Sequence, residues 1–464
     1  MRILSALLAT VAFAAPTWAQ QAGNDAVIDQ IGEDNTALID QAGNGNMAGT
    51  ELLPMLQDGI FNSLDIEQTG SGNEVGTRGT GLDQVGRANT AVTFNDIDID
   101  QLSDGNLVGR VDQRSDGSVA NGANTLVILQ GGATGANDNA IVAVEQQQLS
   151  GTAAQTATLR QQGARNRIDQ VTQRASTLGA GDPNVIDVAI TGDDNGRIGL
   201  SGPAQVPLVQ DSTLVQELRG TGDRRGQGNR IGLTITGDET RFGLRQAGRA
   251  NLAEGIVVTG DRNEIGLRQD GDSNEITLGA LDGDGNRIGV DQWGTNTTVV
   301  AVVGVGSDDN DVLVYQNGIN DASVTITGSR SDLELRQDFL SGIGGRNLAT
   351  IDIVGDETLL TVDQQGVNTL TLDVTGDRTN RAAFTRGRAG LTPGRIDQRG
   401  DGNAARGEIV GDDNVTAMLQ DGDLNDILLR VTGRSNESEF LQSGDGNTAR
   451  LMQNGTANRA TFRQ

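Results

Sequence analysis

The sequence has no cysteine and no histidine, and lysine is absent too, so all of its fixed positive charge is arginine. Without cysteine there is no disulfide framework and no thiol nucleophile, and without histidine any triad built on an imidazole base is excluded. Aromatic residues are 2% of 464 residues, with one tyrosine and two tryptophans, so an ordinary globular core has few large side chains to draw on. Beyond the N-terminal segment no apolar run is long enough for a membrane-spanning helix. A formal net charge of -27 argues against direct binding of nucleic acid or anionic lipid, and membrane insertion is not expected.

Glycine, by contrast, is abundant, at 66 residues. A glycine-rich, polar, acidic chain invites a reading as disorder. Disorder, however, gives a chain no reason to hold an apolar register, and this chain holds one. The opening MRILSALLATVAFAAPTWAQ reads as a secretory signal peptide over residues 1–19, with Arg2 as the charge, Ile3 to Ala15 as the apolar run and Thr17 and Ala19 as small residues before the cut. Residues 20–464 are then expected to be exported.

Self-similarity is the strongest signal. Asn403, Asn414, Asn425, Asn436, Asn447 and Asn458 recur at intervals of eleven, as do Asn24, Asn35 and Asn46. In GDRNEIGLRQDGDSN, Asn263, Ile265, Leu267 and Gln269 fall on alternate residues before Asn274 begins the next unit. Period-two apolar spacing means a strand with one buried face, and a helix would need spacings of three and four. Gly-x-x-Asn between strands is turn chemistry, because Gly and Asn tolerate positive φ. Gly32, Gly43, Gly260, Gly271, Gly411, Gly422, Gly433, Gly444 and Gly455 are the expected turn glycines.

Two units make a strand-turn-strand-turn rung of about 22 residues, so the expected fold is all-β, a β-solenoid of stacked rungs that is cross-β in character. Stacked rungs set equivalent residues about 4.8 Å apart, which lets inward amides pair with their own kind above and below. The expected ladder residues are Asn24, Gln30, Asn35, Gln41, Asn46, Gln68, Gln84, Gln246, Asn263, Gln269, Asn274, Gln292, Gln316, Gln337, Gln364 and Gln398. They continue in the last segment with Asn403, Asn414, Gln420, Asn425, Asn436, Gln442, Asn447, Gln453, Asn458 and Gln464. The array is read as continuous over 20–464, with Gln-bearing turns to about residue 175 and a looser, insertion-bearing region at about 176–230. Alternating Gln and Gly-Asp turns follow to about 395, and regular eleven-residue units from about 396. Stretches 50–59, 131–139 and 200–211 read as enlarged loops, since Pro203 and Pro207 do not suit central strands.

The motifs Gln30-x-Gly32-x-x-Asn35-x-Ala37-x-x-x-Gln41 and Gln453-x-Gly455-x-x-Asn458-x-Ala460-x-x-x-Gln464 resemble the curlin repeat, Q-x-G-x-x-N-x-A-x-x-x-Q. The resemblance implies a curli-type subunit: a bacterial extracellular amyloid fibre, or pilus-like fimbrium, used in cell adhesion and biofilm matrix. It also implies ladder roles for the Gln and Asn at these positions, partnership with other curlin-like subunits, and export through a dedicated pore. Many central units depart from the pattern, with Val or Ile before Gly-Asp in place of Gln. On the residues alone, open ends with the same periodicity as another copy's ends allow strand addition between molecules, whereas a monomeric secreted β-solenoid adhesin would use the same periodicity with capped ends. A β-helix enzyme acting on polysaccharide is the remote third reading, because recurring Asp residues lack the local break that an active site needs. No cofactor is expected. Calcium is weighed at LDGDGNR (281–287) and at the Asp-Asp-Asn turns 193–195, 308–310 and 412–414, with solvated Asx turns as the plainer reading. With the sequence pI near 4.3, association is expected to be faster at about pH 4 than at neutral pH.

Overall fold

A computed structural model describes residues 23–464 apart from 88, 116–123, 133–137, 149–154, 176–182, 198, 208, 211, 219–227, 303–307, 339–345 and 386–388. The signal peptide expected at 1–19 lies outside the described residues. The chain divides into two compact units, Met1–Gly199 with Gln210–Asn251, and Leu200–Val209 with Leu252–Gln464.

Both units are built from short parallel strands, two faces to a rung. In the first unit one face stacks Ile28–Glu33, Met55–Ile60, Leu82–Gly86, Leu107–Ser115, Ala140–Gln148, Gln170–Ala175, Thr213–Leu218 and Arg241–Arg249. The other face stacks Thr36–Ala42, Ser63–Thr69, Asn95–Gln101 and Asn124–Gln130, and pairs Asn184–Thr191 with Arg230–Thr236. In the second unit Arg287–Val302 and Asp311–Ile326 run through the corner as unbroken 16-residue strands, paired in register along their whole length. The fold is an all-β solenoid. Among the described residues the only antiparallel contacts are two isolated loop bridges, Thr50 to Leu53 and Thr90 to Thr93.

Alternation explains the core. Inward residues such as Ile66, Ile99 and Ile128 on one face, and Ile265, Leu267, Ile288 and Val290 in the second unit, are fully buried. Because register is exact between rungs, like sits on like: Phe440 and Phe462 stack with ring centroids 5.0 Å apart and planes within 1°. A one-residue slip would turn every such side chain outward, so the apolar pattern itself fixes the register.

Three expectations need correction. The rung of about 22 residues holds near the C-terminus, as from Gln398 to Gln420, but the first unit uses 27 residues from Gln30 to Gln57, 33 from Gln68 to Gln101 and 45 from Asn195 to Thr240. Insertions leave the stack at the corners and rejoin it in register, and the entropy of a longer loop grows only slowly with length. Residues 50–59 are not all loop, because Met55–Ile60 is a stacked strand. Residues 200–209 do not project away either. Their 3₁₀ turn, Gly202–Ala204, lies against the outward side of the second unit, where a Cβ on Gly266 or Gly289 would come within 1.8 Å of the Ala204 carbonyl oxygen or 1.7 Å of that of Pro203.

Candidate functional site

In many strands alternation places one Gln at the inward end of the apolar run. In the second unit eight hydrogen bonds of 2.7–3.1 Å join nine glutamines, Gln269, Gln292, Gln316, Gln337, Gln364, Gln398, Gln420, Gln442 and Gln464, each Nε2 donating to the next Oε1. The first unit has two such columns. One runs Gln30, Gln57, Gln84, Gln113, Gln146 and, further along, joins Gln216 to Gln246; the other runs Gln41, Gln68, Gln101, Gln130, Gln161. The second N–H of each amide crosses the core. Gln57 donates to the Thr36 carbonyl at 2.9 Å, Gln269 to that of Leu252 at 3.0 Å and Gln420 to that of Ala404 at 3.0 Å. A glutamine bonded in this way ties its rung to the next and one face to the other, which meets both amide protons of a buried group that would otherwise cost about 1–3 kcal/mol.

Asparagines do a different job at the corners. The side-chain oxygen of one Asn accepts the backbone N–H of its equivalent one rung on. Asn46 donates to Asn24 at 3.0 Å, Asn62 to Asn35 at 3.0 Å, Asn286 to Asn263 at 3.0 Å, Asn436 to Asn414 at 3.0 Å and Asn458 to Asn436 at 3.0 Å. Another run joins Asn274, Asn296, Asn320, Asn347, Asn368, Asn403, Asn425 and Asn447 by bonds of 2.9–3.4 Å. Most of these amides are fully buried. Asn24, Gln30, Asn35, Gln41, Asn447 and Asn458, on outer rungs, are half-buried, and Gln464 is exposed. Gln453 sits above a valine and meets Ser438 Oγ instead, at 2.9 Å.

The turn geometry differs from the expectation in one respect. Positive φ belongs to the turn glycine and to the residue before the Asn, not to the Asn: Asp34, Arg262, Ser273, Asp413, Leu424, Ser435 and Ala457 all lie between 54° and 61°. Gly32, Gly43, Gly260, Gly271, Gly422, Gly433, Gly444 and Gly455 have φ between 93° and 124°. Gly411 is the exception. Its φ is not in that region, and glycine is required there because a Cβ would sit 1.7 Å from the Gly433 carbonyl oxygen.

Gly-Asp turns form a ladder that sequence reasoning missed. Asp284 Oδ1 accepts the Asp261 N–H at 2.7 Å and Asp308 Oδ1 that of Asp284 at 2.9 Å; Asp401, Asp423 and Asp445 repeat the arrangement at 2.8 and 2.9 Å. Asp284 and Asp308 are among the carboxylates weighed for calcium, and the Oδ1 of each already accepts a backbone proton. Among the described residues no three acidic groups converge as a metal site. Sequence reasoning also missed Gln57, although Gln57-x-Gly59-x-x-Asn62 carries the first half of the motif and begins inside a stretch taken for a loop. It missed Thr240 and Ser331 too, whose backbone N–H groups bond to Asn195 and Asn310 in the Asn column.

Outward charges pair across rungs where arginine is present, as in Arg378 with Asp413 at 3.0 Å and Arg434 with Asp412 at 3.2 Å. One face lacks such partners. Register sets Asp40 beside Glu67 and Glu67 beside Asp100, and Asp65 beside Asp98. Burial raises the Asp65, Asp98 and Asp100 carboxyls above their ordinary value, and the neighbouring carboxylates push the same way. At a corner of the first unit the Arg165 hydrogen bond lowers Asp194 instead.

No curated protein matches the chain. The family model of the curlin associated repeat matches residues 22–49 and 260–294. The first stretch holds Asn24, Gln30, Asn35, Gln41 and Asn46, and the second Asn263, Gln269, Asn274 and Gln292, all on the ladders just described. Over these two stretches, where the strands are parallel and the amides stacked, the chain carries curlin associated repeats.

Proposed function

We propose that the protein is a secreted structural subunit that assembles into, or nucleates, curli-like cross-β fibres at the cell surface, where such fibres serve adhesion and biofilm matrix. The observation that carries this reading is the unbroken glutamine column of the second unit. Each amide there donates in one direction and accepts from the other, and the bond is the same whether the next rung belongs to the same chain or to another copy. Other curlin-like subunits and an export pore are the partners this role calls for. Among the described residues no helix is long and apolar enough to cross a membrane.

Fibre diffraction of the purified chain tests the reading, with a meridional reflection at about 4.8 Å expected. Sub-stoichiometric seeds should also shorten the lag of fresh protein. A chain that stays monomeric for days at high concentration would instead be a monomeric solenoid adhesin.

A further inference from the structure

The outward face of the second unit breaks its repeat at one place. Asp291, Tyr315 and Arg336 share a row across three parallel strands, and Gly266, Gly289, Leu313 and Glu334 share the row two residues earlier. Tyr315 is the only tyrosine in the chain, and Trp293, one of its two tryptophans, stands two residues from Asp291. Segment 200–209 is fastened over this surface. The backbone N–H and hydroxyl of Ser201 bond to the Glu264 carboxylate at 2.6 and 2.8 Å, while Ala204 and Val206 are buried beneath it. The two glycines let the segment press against the strands. Where the row changes from glycine to Leu313 and Glu334, segment and strands enclose a cavity of about 640 Å³.

The lining is of two kinds. Leu313, Tyr315, Val206 and the rings of Pro203 and Pro207 supply apolar surface, and Asp291, Glu334, Arg336 and Gln205 supply polar groups. Trp293 is held in place beside them: its indole N–H donates to Asp291 at 2.9 Å, and the Arg268 guanidinium lies 4.0 Å over its ring and 3.7 Å from Asp291. Each lining carboxylate already has a guanidinium beside it: Glu334 pairs with Arg336, and Asp291 lies 3.7 Å from Arg268, which Asp270 shares at 3.2 Å. A purely apolar ligand would strip water from the carboxylates without replacing its hydrogen bonds, and a charged one would upset these pairs. A sugar ring has an apolar face to lay on the tyrosine and hydroxyls for the planar polar groups, and the volume is within the usual range for small-ligand sites. Asp291 is 5% exposed, and that burial raises its carboxyl, with Arg268 and the indole opposing.

We propose that this cavity is a binding site for a neutral saccharide, a short stretch of an uncharged polysaccharide. It stands apart from the ladders and does not depend on whether the chain polymerises. The test is calorimetric titration of the freshly purified, unassembled chain with cellotriose, triacetylchitotriose, maltotriose and galactotriose, alongside oligogalacturonate and a chitosan trimer as charged probes. At least one neutral trisaccharide is expected to bind. Tyr315→Ala should weaken it about tenfold or more, with the melting temperature unchanged because the inward neighbours Val314 and Gln316 are untouched. Gln205→Ala, on an exposed position of the segment, should also weaken binding and serves if the first variant does not fold. No binding by any neutral probe, binding by charged probes alone, or equal affinity in the folded variants would overturn the assignment. Fibre formation is scored separately, so its failure would not be mistaken for failure of this site.

Discussion

Replacing Gln337 by leucine should damage the second unit more than its position in an apolar stack suggests, and replacing three consecutive glutamines should damage it little further. Gln337 accepts from Gln316 at 2.7 Å, donates to Gln364 at 2.9 Å and donates across the core to the Asp321 carbonyl at 3.0 Å. Leucine orphans all three partners at about 1–3 kcal/mol each, and its own burial offsets roughly 2, which leaves a net loss on the order of 1–7 kcal/mol. Extending the change to Gln316 and Gln364 moves the side-chain orphans to Gln292 and Gln398 but does not multiply them, because the three new leucines contact one another. The chain already contains such a boundary. Gln161 abuts Ile190, followed by Ile235, and the Gln161 Nε2 is buried without a partner. Hydrogen exchange over Asp332–Asp338, with thermal unfolding beside it, reads the cost locally, which suits a stack whose rungs contact only their neighbours. A triple variant three times as destabilised as the single would refute the ladder reasoning.

Glycine substitutions should divide by position. Gly422→Ala, at φ 124° with its Cβ 2.4 Å from the Gly444 carbonyl oxygen, should cost at least about 2 kcal/mol, whereas Gly446→Ala, at φ 70° with nothing within 4 Å, should cost about 1 or less by thermal unfolding. The acidic face should answer to pH. Carboxyls raised in the fold, as at Asp65, Asp98 and Asp100, contribute stability that is full below their unfolded value of about 3.9 and is lost as pH rises through the folded value. Exchange protection over Ser63–Thr69 and Asn95–Gln101, corrected for intrinsic rate, should therefore increase as pH falls from about 7 toward 4.5, and Asp65→Asn with Asp98→Asn should flatten that response. Asp194 runs the other way: lowered by Arg165, it supports the fold fully above its unfolded value of about 3.9 and stops doing so only as pH falls further, so protection at its turn should fall after the acidic face has reached its full gain. Millimolar calcium should leave the melting temperature unchanged, since the Gly-Asp turn oxygens Asp284 and Asp308 already take backbone protons; a clear rise would reassign those turns.

What could be read from the sequence is what repeats. Asn263, Ile265, Leu267 and Gln269 announce an inward face by parity alone, and all four are buried. The left-handed residue before each Asn left no such mark, because Asp34, Leu424 and Ala457 have nothing in common but their place in the turn. Segment 200–209 was illegible for another reason, since where a loop lands depends on the surface it meets. That surface did carry a trace. Gly266 and Gly289 stand at outward positions within strands, where glycine weakens the sheet unless another backbone must come close. Glu264 and Arg268 stand at outward positions by parity, yet are 5% and 3% exposed because that segment and Trp293 cover them.

The distribution of glutamine follows from the same boundary cost. If each amide were worth something by itself, losses would scatter along a column. If only junctions between amide and aliphatic runs are penalised, a column should change character seldom and in blocks. The second unit keeps one column wholly glutamine from Gln269 to Gln464, while its other column presents Val258, Leu281, Ile326, Ile353, Val374 and Val431 before a single return at Gln453. At that return Ser438 supplies a hydroxyl donor to Gln453 Oε1, while Gln453 Nε2 donates to the Glu437 carbonyl at 3.4 Å. Block-wise replacement, with a polar side chain at the junction, is the pattern that cooperative ladders impose and that independent hydrogen bonds would not. Ser438→Ala should therefore weaken the last rung although Ser438 belongs to no ladder, and an unchanged exchange rate over Thr448–Met452 would count against junctions as the unit of cost.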